Sequence, residues 1–111
     1  MPERIDLGSG RGYLQAKIDT ASSGAIEIVA AQAGKAIVMT KAVIVSGGTT
    51  NIKWQSGATD LTGAMPFVAN LGMVDESTMP ENGLRTTQGQ ALNLNNGSAV
   101  QVSGYIKYFL E

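Results

Sequence analysis

Apolar and polar residues alternate along much of this chain, in short runs that are separated by turn residues. Between residues 13 and 20, every second residue is apolar, namely Leu14, Ala16 and Ile18. An alternation of this length predicts a β-strand with one buried and one exposed face. A second run over residues 25–31 follows the same pattern, with Ile26 and Ile28 on one face. Both runs are therefore predicted to form half-buried strands.

The segment of residues 36–46 carries apolar residues on both faces. It is rich in β-branched side chains, namely Ile37, Val38, Thr40, Val43, Ile44 and Val45. Because β-branching favours strands over helices, a buried helix is the weaker interpretation. A strand buried on both faces is typical of the centre of a two-layer sandwich, or of a subunit contact. Gly47-Gly48 ends this strand and predicts a hairpin into the next strand, over residues 51–55.

The only tryptophan of the chain lies on the strand of residues 51–55. Ile52 and Trp54 point to one face of it, and a turn-rich segment follows from Ser56 to Gly63. Serine, threonine and aspartate side chains bond readily to nearby backbone, so they are expected to fix this corner. The predicted structural corner consists of Trp54, Ser56, Thr59, Asp60 and Thr62. We expect Trp54 to lie in the core or in a subunit interface, and stacking on a sugar ring is the alternative.

The second half of the chain contains shorter runs. Pro66 cannot donate a hydrogen bond to a sheet, so residues 64–69 are expected to form an edge or irregular strand. Asn96-Gly97 predicts a hairpin before the last strand, which covers residues 99–110. Gly104 lies within that last strand, where it indicates a bulge or close packing. The phase of the apolar face is predicted to change around this glycine.

These runs amount to about eight short strands with frequent turns, and no segment has the period of a helix. The pattern predicts an all-β antiparallel fold, whether a sandwich, a jelly roll or a small barrel. Residues 13–111 are predicted to form this single domain. Residues 1–12 are polar and glycine-rich, which predicts a flexible N-terminal arm. The run GSGRG in the arm lacks the preceding strand and following helix that a phosphate-binding loop requires.

The composition excludes several classes of function. The 111 residues include no cysteine and no histidine, which excludes zinc sites of the Cys/His type and histidine-based catalytic triads. The net charge is −1 without a basic stripe, so we expect no nucleic-acid partner. No apolar run approaches the roughly 20 residues that cross a bilayer, so we expect no membrane partner. Charged residues make up only 15%, which favours contact with other proteins because little charge must be desolvated.

Acidic side chains are the remaining candidates for catalysis or metal binding. Asp75 paired with Glu76 or with Asp60 is a candidate for glycoside hydrolysis, but solvated loop acids are the ordinary interpretation. Calcium binding through Asp75, Glu76 and Glu81 is a second candidate, although the loop does not match the calcium-loop pattern. We therefore predict that the protein is not an enzyme and needs no cofactor or metal.

One specific segment, KWQSGATDLTG at residues 53–63, is accompanied by weaker segments at residues 34–38, 45–48, 86–94 and 104–108. In their order and spacing, these segments resemble a family of small bacteriophage virion proteins. The family comprises capsid decoration (cement) proteins and short fibre modules of tailed phages. The resemblance implies an antiparallel β-sandwich of jelly-roll type that assembles as a homotrimer.

The resemblance also implies a function. A decoration protein binds the outside of the head and stabilises the shell by bridging capsomers, so its expected location is the capsid surface and its expected partner the major capsid protein. The candidate capsid-contact residues in the arm are Arg4, Arg11 and Tyr13. The alternative is a receptor- or glycan-binding knob of a head or tail fibre, which would use Trp54 or the loop of residues 75–83. The family usually has an aromatic residue in the loop before Thr86, whereas this chain reads ENGLR at residues 81–85.

Overall fold

The fold is all-β. The computed structural model describes residues 14–76 and 83–111, so the predicted arm of residues 1–12 lies outside the described residues. The ten strands are β1 Leu14–Thr20, β2 Gly24–Val29, β3 Ile37–Ser46, β4 Thr50–Ser56, β5 Thr59–Asp60, β6 Met65–Phe67, β7 Gly72–Glu76, β8 Leu84–Arg85, β9 Leu92–Asn96 and β10 Val102–Leu110. There are two more strands than predicted, because a short β5 follows β4 and because the segment that contains Pro66 and continues to Glu76 divides into β6 and β7.

The strands form two antiparallel sheets. Sheet A has the order β1-β10-β3-β7, and β8 also pairs with β3. Sheet B has the order β2-β9-β4-β5, and β6 also pairs with β4. Strands of the first half pair with strands of the second half in reverse order, since β1 pairs with β10, β2 with β9, and β3 with β7. This nested pairing is that of a jelly roll, and the predicted antiparallel sandwich is confirmed.

The two hairpins predicted from glycine pairs are wrong. Gly47-Gly48 leads from β3 in sheet A to β4 in sheet B, and Asn96-Gly97 leads from sheet B toward β10 in sheet A. Gly48 permits close approach to the β9–β10 connection, and Gly97 permits close approach to the start of β4. A Cβ at Gly48 would lie 2.8 Å from Val100 Cγ1, and one at Gly97 would lie 3.0 Å from the Asn51 carbonyl oxygen. Turn signals in this sequence therefore mark crossings between sheets as well as hairpins.

The core lies between the two sheets. Its buried apolar residues are Ile18, Val29, Ile37, Met39, Ala42, Ile44, Ile52, Trp54, Phe67, Leu92, Leu94, Val102 and Ile106. Both halves of β3 contribute side chains to the core. This is possible because the pairing of β3 with β10 shifts at Thr40: Met39 pairs with Tyr108, and Lys41 pairs with Lys107. The start of β3 is buried on both faces, as predicted for a central strand.

The predicted phase change at Gly104 is wrong. Val102 and Ile106 both contribute to the core on either side of this glycine, and the register with β3 shifts only after Lys107. Gly104 instead permits close packing, since its φ is +147° and a Cβ there would overlap the carbonyl oxygen of Val43. The spacing of the two tyrosines of β10 explains the wrong prediction, because in sequence it suggests that the apolar face changes. In the structure, Tyr105 lies on the outer face and Tyr108 packs against the core.

Candidate interaction surfaces

The predicted structural corner is a tight β4–β5 hairpin. Ser56 pairs with Thr59 across it, and Gly57 takes the positive φ of 58° that the turn requires. The backbone N–H of Trp54 donates to Thr62 Oγ1 at 3.1 Å. The carbonyl oxygen of Trp54 accepts from the N–H of Leu61 at 2.8 Å. Both backbone groups of Trp54 are thus tied to the segment that follows the hairpin.

Side chains of the corner also bind outside it. Ser56 Oγ accepts from the backbone N–H of Thr87 at 3.0 Å, which links β4 to the loop after β8. Asp60 accepts from Gln55 Nε2 at 2.9 Å and from Lys53 Nζ at 3.1 Å. These two hydrogen bonds, that of Gln55 first, lower the pKa of Asp60. The carboxylate therefore remains ionised to a lower pH than an ordinary aspartate.

Trp54 cannot stack on a sugar in this fold. Its side chain belongs to the core, and the residue is only 2% exposed. The predicted core position of the tryptophan is confirmed, and the glycan-binding role considered for it is wrong. The burial was predictable because Ile52 and Trp54 share one face of β4.

The other predicted contact residues are placed only in part. Arg4, Arg11 and Tyr13 lie outside the described residues, as does most of the loop of residues 75–83. Asp75 and Glu76 lie on β7, opposite Ala42 and Lys41 of β3. Within residues 14–76 and 83–111, no cluster of three acidic, histidine or cysteine residues could hold a metal ion.

The outer face of sheet A carries a strip of apolar side chains. The register places Val74 of β7 beside Val43 of β3, and Val43 beside Tyr105 of β10. Val45 lies in the next row, opposite Gly72, which has no side chain to cover it. We call Val43, Val45, Val74 and Tyr105 the outer strip. Val74 is 65% exposed and Val45 is 44% exposed, so the strip is open to solvent.

Charged side chains frame the outer strip. Lys41 and Lys107 lie opposite each other on β3 and β10, and Glu76 lies beside Lys41 on β7. On the β1 side, Lys17 continues the row of Tyr105, and Asp19 lies in the next row. The sheet thus presents an apolar centre with a charged rim, an arrangement typical of protein–protein interfaces.

The outer strip has a signal in the sequence. The segment of residues 36–46 is apolar on both faces, and one of the two interpretations of that pattern was burial at a subunit contact. Sequence reasoning did not find Val74, because the register that brings it beside Val43 depends on pairing across about 30 residues of intervening chain.

The outer face of sheet B is polar. One row across β2, β9, β4 and β5 consists of Glu27, Asn93, Gln55 and Asp60, and the next consists of Ala25, Asn95 and Lys53. We call Glu27, Gln55, Lys53, Asp60, Asn93 and Asn95 the amide face. Sequence reasoning found only Asp60 of this group, since the others are unremarkable polar residues on alternating strands.

Hydrogen bonds fix much of the amide face. Gln55 donates to Asp60, and Gln55 Oε1 accepts from Asn95 Nδ2 at 3.4 Å. Asn93 Nδ2 donates to the carbonyl oxygen of Gly57 at 3.0 Å. The side-chain oxygen of Asn93 is buried and has no hydrogen-bond partner among the described residues. The face is therefore largely an ordered array of hydrogen-bonded side chains.

Comparison with known proteins does not assign the chain to a family. No protein-family model matches it, and no curated protein matches it. The described residues include no helix long and apolar enough to cross a membrane. The resemblance to phage virion proteins therefore stays a prediction, and the surfaces described above are the structural basis for a functional proposal.

Proposed function

We propose that this protein is a bacteriophage capsid decoration protein. It binds the outside of the head as a homotrimer, contacts the major capsid protein, and stabilises the shell by bridging neighbouring capsomers. The observation that carries the proposal is the outer strip on sheet A. The sequence resemblance supports the choice of a virion protein among the many proteins that assemble through a sheet face.

Exposure of the outer strip to water is unfavourable in free energy. Each buried Å² of apolar surface contributes about 25 cal/mol, so covering two exposed valines and their neighbours favours association by a few kcal/mol. The strip also includes β7, which pairs only with β3 among the described residues. Exposed apolar residues on an edge strand promote association with another chain, and proteins commonly protect such strands with charge or proline. On β7, Asp75 and Glu76 supply charge at one end of the strand, but the Val74 side chain itself is 65% exposed.

Capsid decoration suits a surface of modest size. A contact through the outer strip is weak for one copy, because association also costs translational and rotational freedom. Three linked copies at one site on the shell bind with much higher avidity without any new contact. The bound trimer then resists separation of the capsomers it touches.

The sandwich architecture orients such a protein. The outer faces of sheets A and B point in opposite directions, because the core lies between the sheets. When the outer strip lies on the shell, the amide face points to the medium. The polar side chains of sheet B are consistent with an exposed outward surface.

The test is co-sedimentation with expanded, undecorated heads of the phage that encodes the chain. The Val74→Lys variant should lose most of its occupancy, because a charge would have to be buried against the shell. The matched control is Ala25→Lys, an exposed strand position on sheet B. Equal occupancy for wild type and Val74→Lys would exclude the outer strip as the contact.

The arm and the trimer require their own measurements. Deletion of residues 1–12 removes Arg4 and Arg11, and loss of head binding with an intact fold would show that the arm also contacts the capsid. Light scattering after size exclusion should give a mass near three times the 11.5 kDa of one chain. A monomer would remove the avidity on which the proposal depends.

A further inference from the structure

Four loops meet at one end of the sandwich, and none of their residues is charged. The strand pairing aligns this end, since Thr20 pairs with Val102 in sheet A and Gly24 pairs with Asn96 in sheet B. The connections that leave the strands here read ASS, GGT, VANL and GSAVQ, at residues 21–23, 47–49, 68–71 and 97–101. We call these four loops the uncharged end.

The turn of residues 68–71 presents two large apolar side chains at this end. Val68 is 58% exposed and Leu71 is 42% exposed. The N–H of Leu71 donates to the carbonyl oxygen of Val68 at 3.0 Å, which closes a four-residue turn and keeps the two residues within about 7 Å. Asn70 has a φ of +67° in this turn, the only positive φ of a residue other than glycine in the part of the chain that the structure describes.

Buried Ser46 holds the turn in place. Its N–H donates to the carbonyl oxygen of Leu71 at 3.0 Å, and its own carbonyl oxygen accepts from the N–H of Asn70 at 2.8 Å. Its hydroxyl lies 2.9 Å from the carbonyl oxygens of both Val68 and Gly48, and so links the turn to the loop of residues 47–49. The apolar side chains therefore project from a fixed backbone.

Hydrogen bonds also join the other loops of the uncharged end. The N–H of Gly47 donates to the carbonyl oxygen of Gln101 at 2.7 Å. The side-chain amide of Asn96 donates to the carbonyl oxygens of Ser22 and Val100, at 3.1 Å and 3.0 Å. All four loops thus form one connected surface, and a partner that binds there pays little for ordering them.

We infer that the uncharged end is the surface through which copies of this chain meet around a rotation axis, which rests on the homotrimer proposed above and locates its contact. Residues near such an axis face their own copies, so a charge there would meet the same charge. Loops without charge meet their copies without repulsion, and exposed Val68 and Leu71 supply apolar area for the contact. The cores of protein interfaces are likewise depleted in charge.

The position of the uncharged end leaves the outer strip available. Leu71 precedes Gly72, which pairs with Val45 of the outer strip, so the end adjoins the strip at the edge of sheet A. Contacts between copies at the end of the sandwich and contacts with a shell through the face of sheet A therefore use different surfaces. Asp19, the charged residue nearest in sequence to these loops, accepts from Gln101 Nε2 at 2.8 Å.

The first test is the native mass of variants by light scattering at one protein concentration. Val68→Lys and Leu71→Lys should each lower the mass from three chains to one, with a rise of at least about tenfold in the dissociation constant, because three lysines would meet at the axis. Both residues are exposed, so the monomers should keep the circular dichroism spectrum of the fold. Ala25→Lys, on the outer face of sheet B, is the matched control and should keep three chains.

The second test measures distances between copies with spin labels. The chain has no cysteine, so Ser22→Cys and Ala33→Cys each carry a single label, at an exposed residue of the uncharged end and of the opposite end. The distance between labels at Ala33 should exceed that at Ser22 by at least about 20 Å, because the ten residues of β3 span roughly 33 Å between the two ends. A label at Ser22 that dissociates the assembly, while a label at Ala33 does not, would give the same assignment.

The outcomes separate the location of the contact from the proposed function. A trimer that survives both Val68→Lys and Leu71→Lys, or labels that lie closer at Ala33 than at Ser22, would overturn the uncharged end as the contact and leave the homotrimer intact. A trimer that Val74→Lys dissociates and Val68→Lys does not would place the contact on the outer strip instead. A monomeric wild type would overturn the homotrimer and the contact together, whereas a trimer that fails to bind heads would overturn the decoration function alone.

Discussion

The hydroxyl of Thr50 donates a hydrogen bond of 2.6 Å to the side-chain oxygen of Asn96, and neither residue is more than 3% exposed. Asn96 Nδ2 donates in turn to the carbonyl oxygens of Ser22 and Val100, at 3.1 Å and 3.0 Å. One buried amide thus connects β4 to the β1–β2 connection and to the β9–β10 connection, which both cross between the sheets. It satisfies backbone groups that would otherwise be buried without partners.

Replacement of Asn96 should therefore destabilise the whole sandwich. Asn96→Ala removes three hydrogen bonds and leaves buried oxygens without donors, so we expect a loss of about 3 kcal/mol in the free energy of unfolding. Urea unfolding measures the change. Asn51→Ala is the control, because Asn51 is exposed on the neighbouring strand, and it should cost less than about 0.5 kcal/mol. Similar losses for both variants would contradict a structural role for the buried amide.

Gly104 should tolerate no side chain. Gly104→Ala would overlap the carbonyl oxygen of Val43 and force a φ of +147° that alanine disfavours, so the central pair of sheet A must separate. We expect a loss of at least about 3 kcal/mol, or failure to fold. Gly63→Ala is the matched control, since no atom of the residues that the structure describes lies within 4 Å of a Cβ there. Thermal unfolding of the two variants should differ widely, and equal melting temperatures would refute the close packing of β10 on β3.

Asp60 should titrate below the ordinary range of an aspartate. The hydrogen bond from Gln55 is the larger cause and that from Lys53 the second, and both lower its pKa. Because the folded-state pKa lies below the unfolded value, the ionised carboxylate stabilises the fold above the unfolded pKa, and this contribution is lost as pH falls through the folded pKa. The unfolding free energies of wild type and Asp60→Asn should therefore converge in acid.

Removal of Lys53 separates the two causes. In Lys53→Met, the pKa of Asp60 should rise but stay below its usual value, because the bond from Gln55 remains. NMR titration of the carboxyl carbon gives this value directly. A full return to the usual pKa in Lys53→Met would show that the lysine, and not the glutamine, dominates.

Trp54 should report on the core and not on a ligand. Its emission should be blue-shifted and poorly quenched by acrylamide in the folded protein, because the residue is only 2% exposed. Trp54→Ala should cost about 3–5 kcal/mol, the usual range for such a truncation in a core. A ready quench by acrylamide at neutral pH would contradict the burial of the indole.

The sequence predicts local structure better than it predicts partners. Alternation over residues 14–20 places Ile18 in the core correctly, since one face of a strand is set by the period of two. It does not predict that Gly48 and Gly97 lie at crossings between sheets, because a hairpin and a crossing share the same turn residues. Sheet assignment depends on long-range pairing, which single-strand patterns do not contain.

The same distinction applies to the candidate surfaces. The hydrogen bonds of Thr62 to nearby backbone are of the kind that the polar residues of the corner predict. Asp60 instead accepts from the side chains of Gln55 and Lys53, which the sequence pattern does not predict. The outer strip and the amide face each combine strands that are distant in sequence, so neither is visible as a motif. The place of Asn93 beside Gln55 becomes visible only when β4 and β9 are paired.

The most direct test of the proposed function is cryo-electron microscopy of undecorated heads incubated with the protein. We predict trimeric density on the outside of the shell, with the outer strip of sheet A against the major capsid protein and the amide face toward the medium. Val74→Lys should leave the shell bare under the same conditions. Density that places sheet B on the shell, or heads that stay undecorated at saturating wild-type protein, would contradict the account.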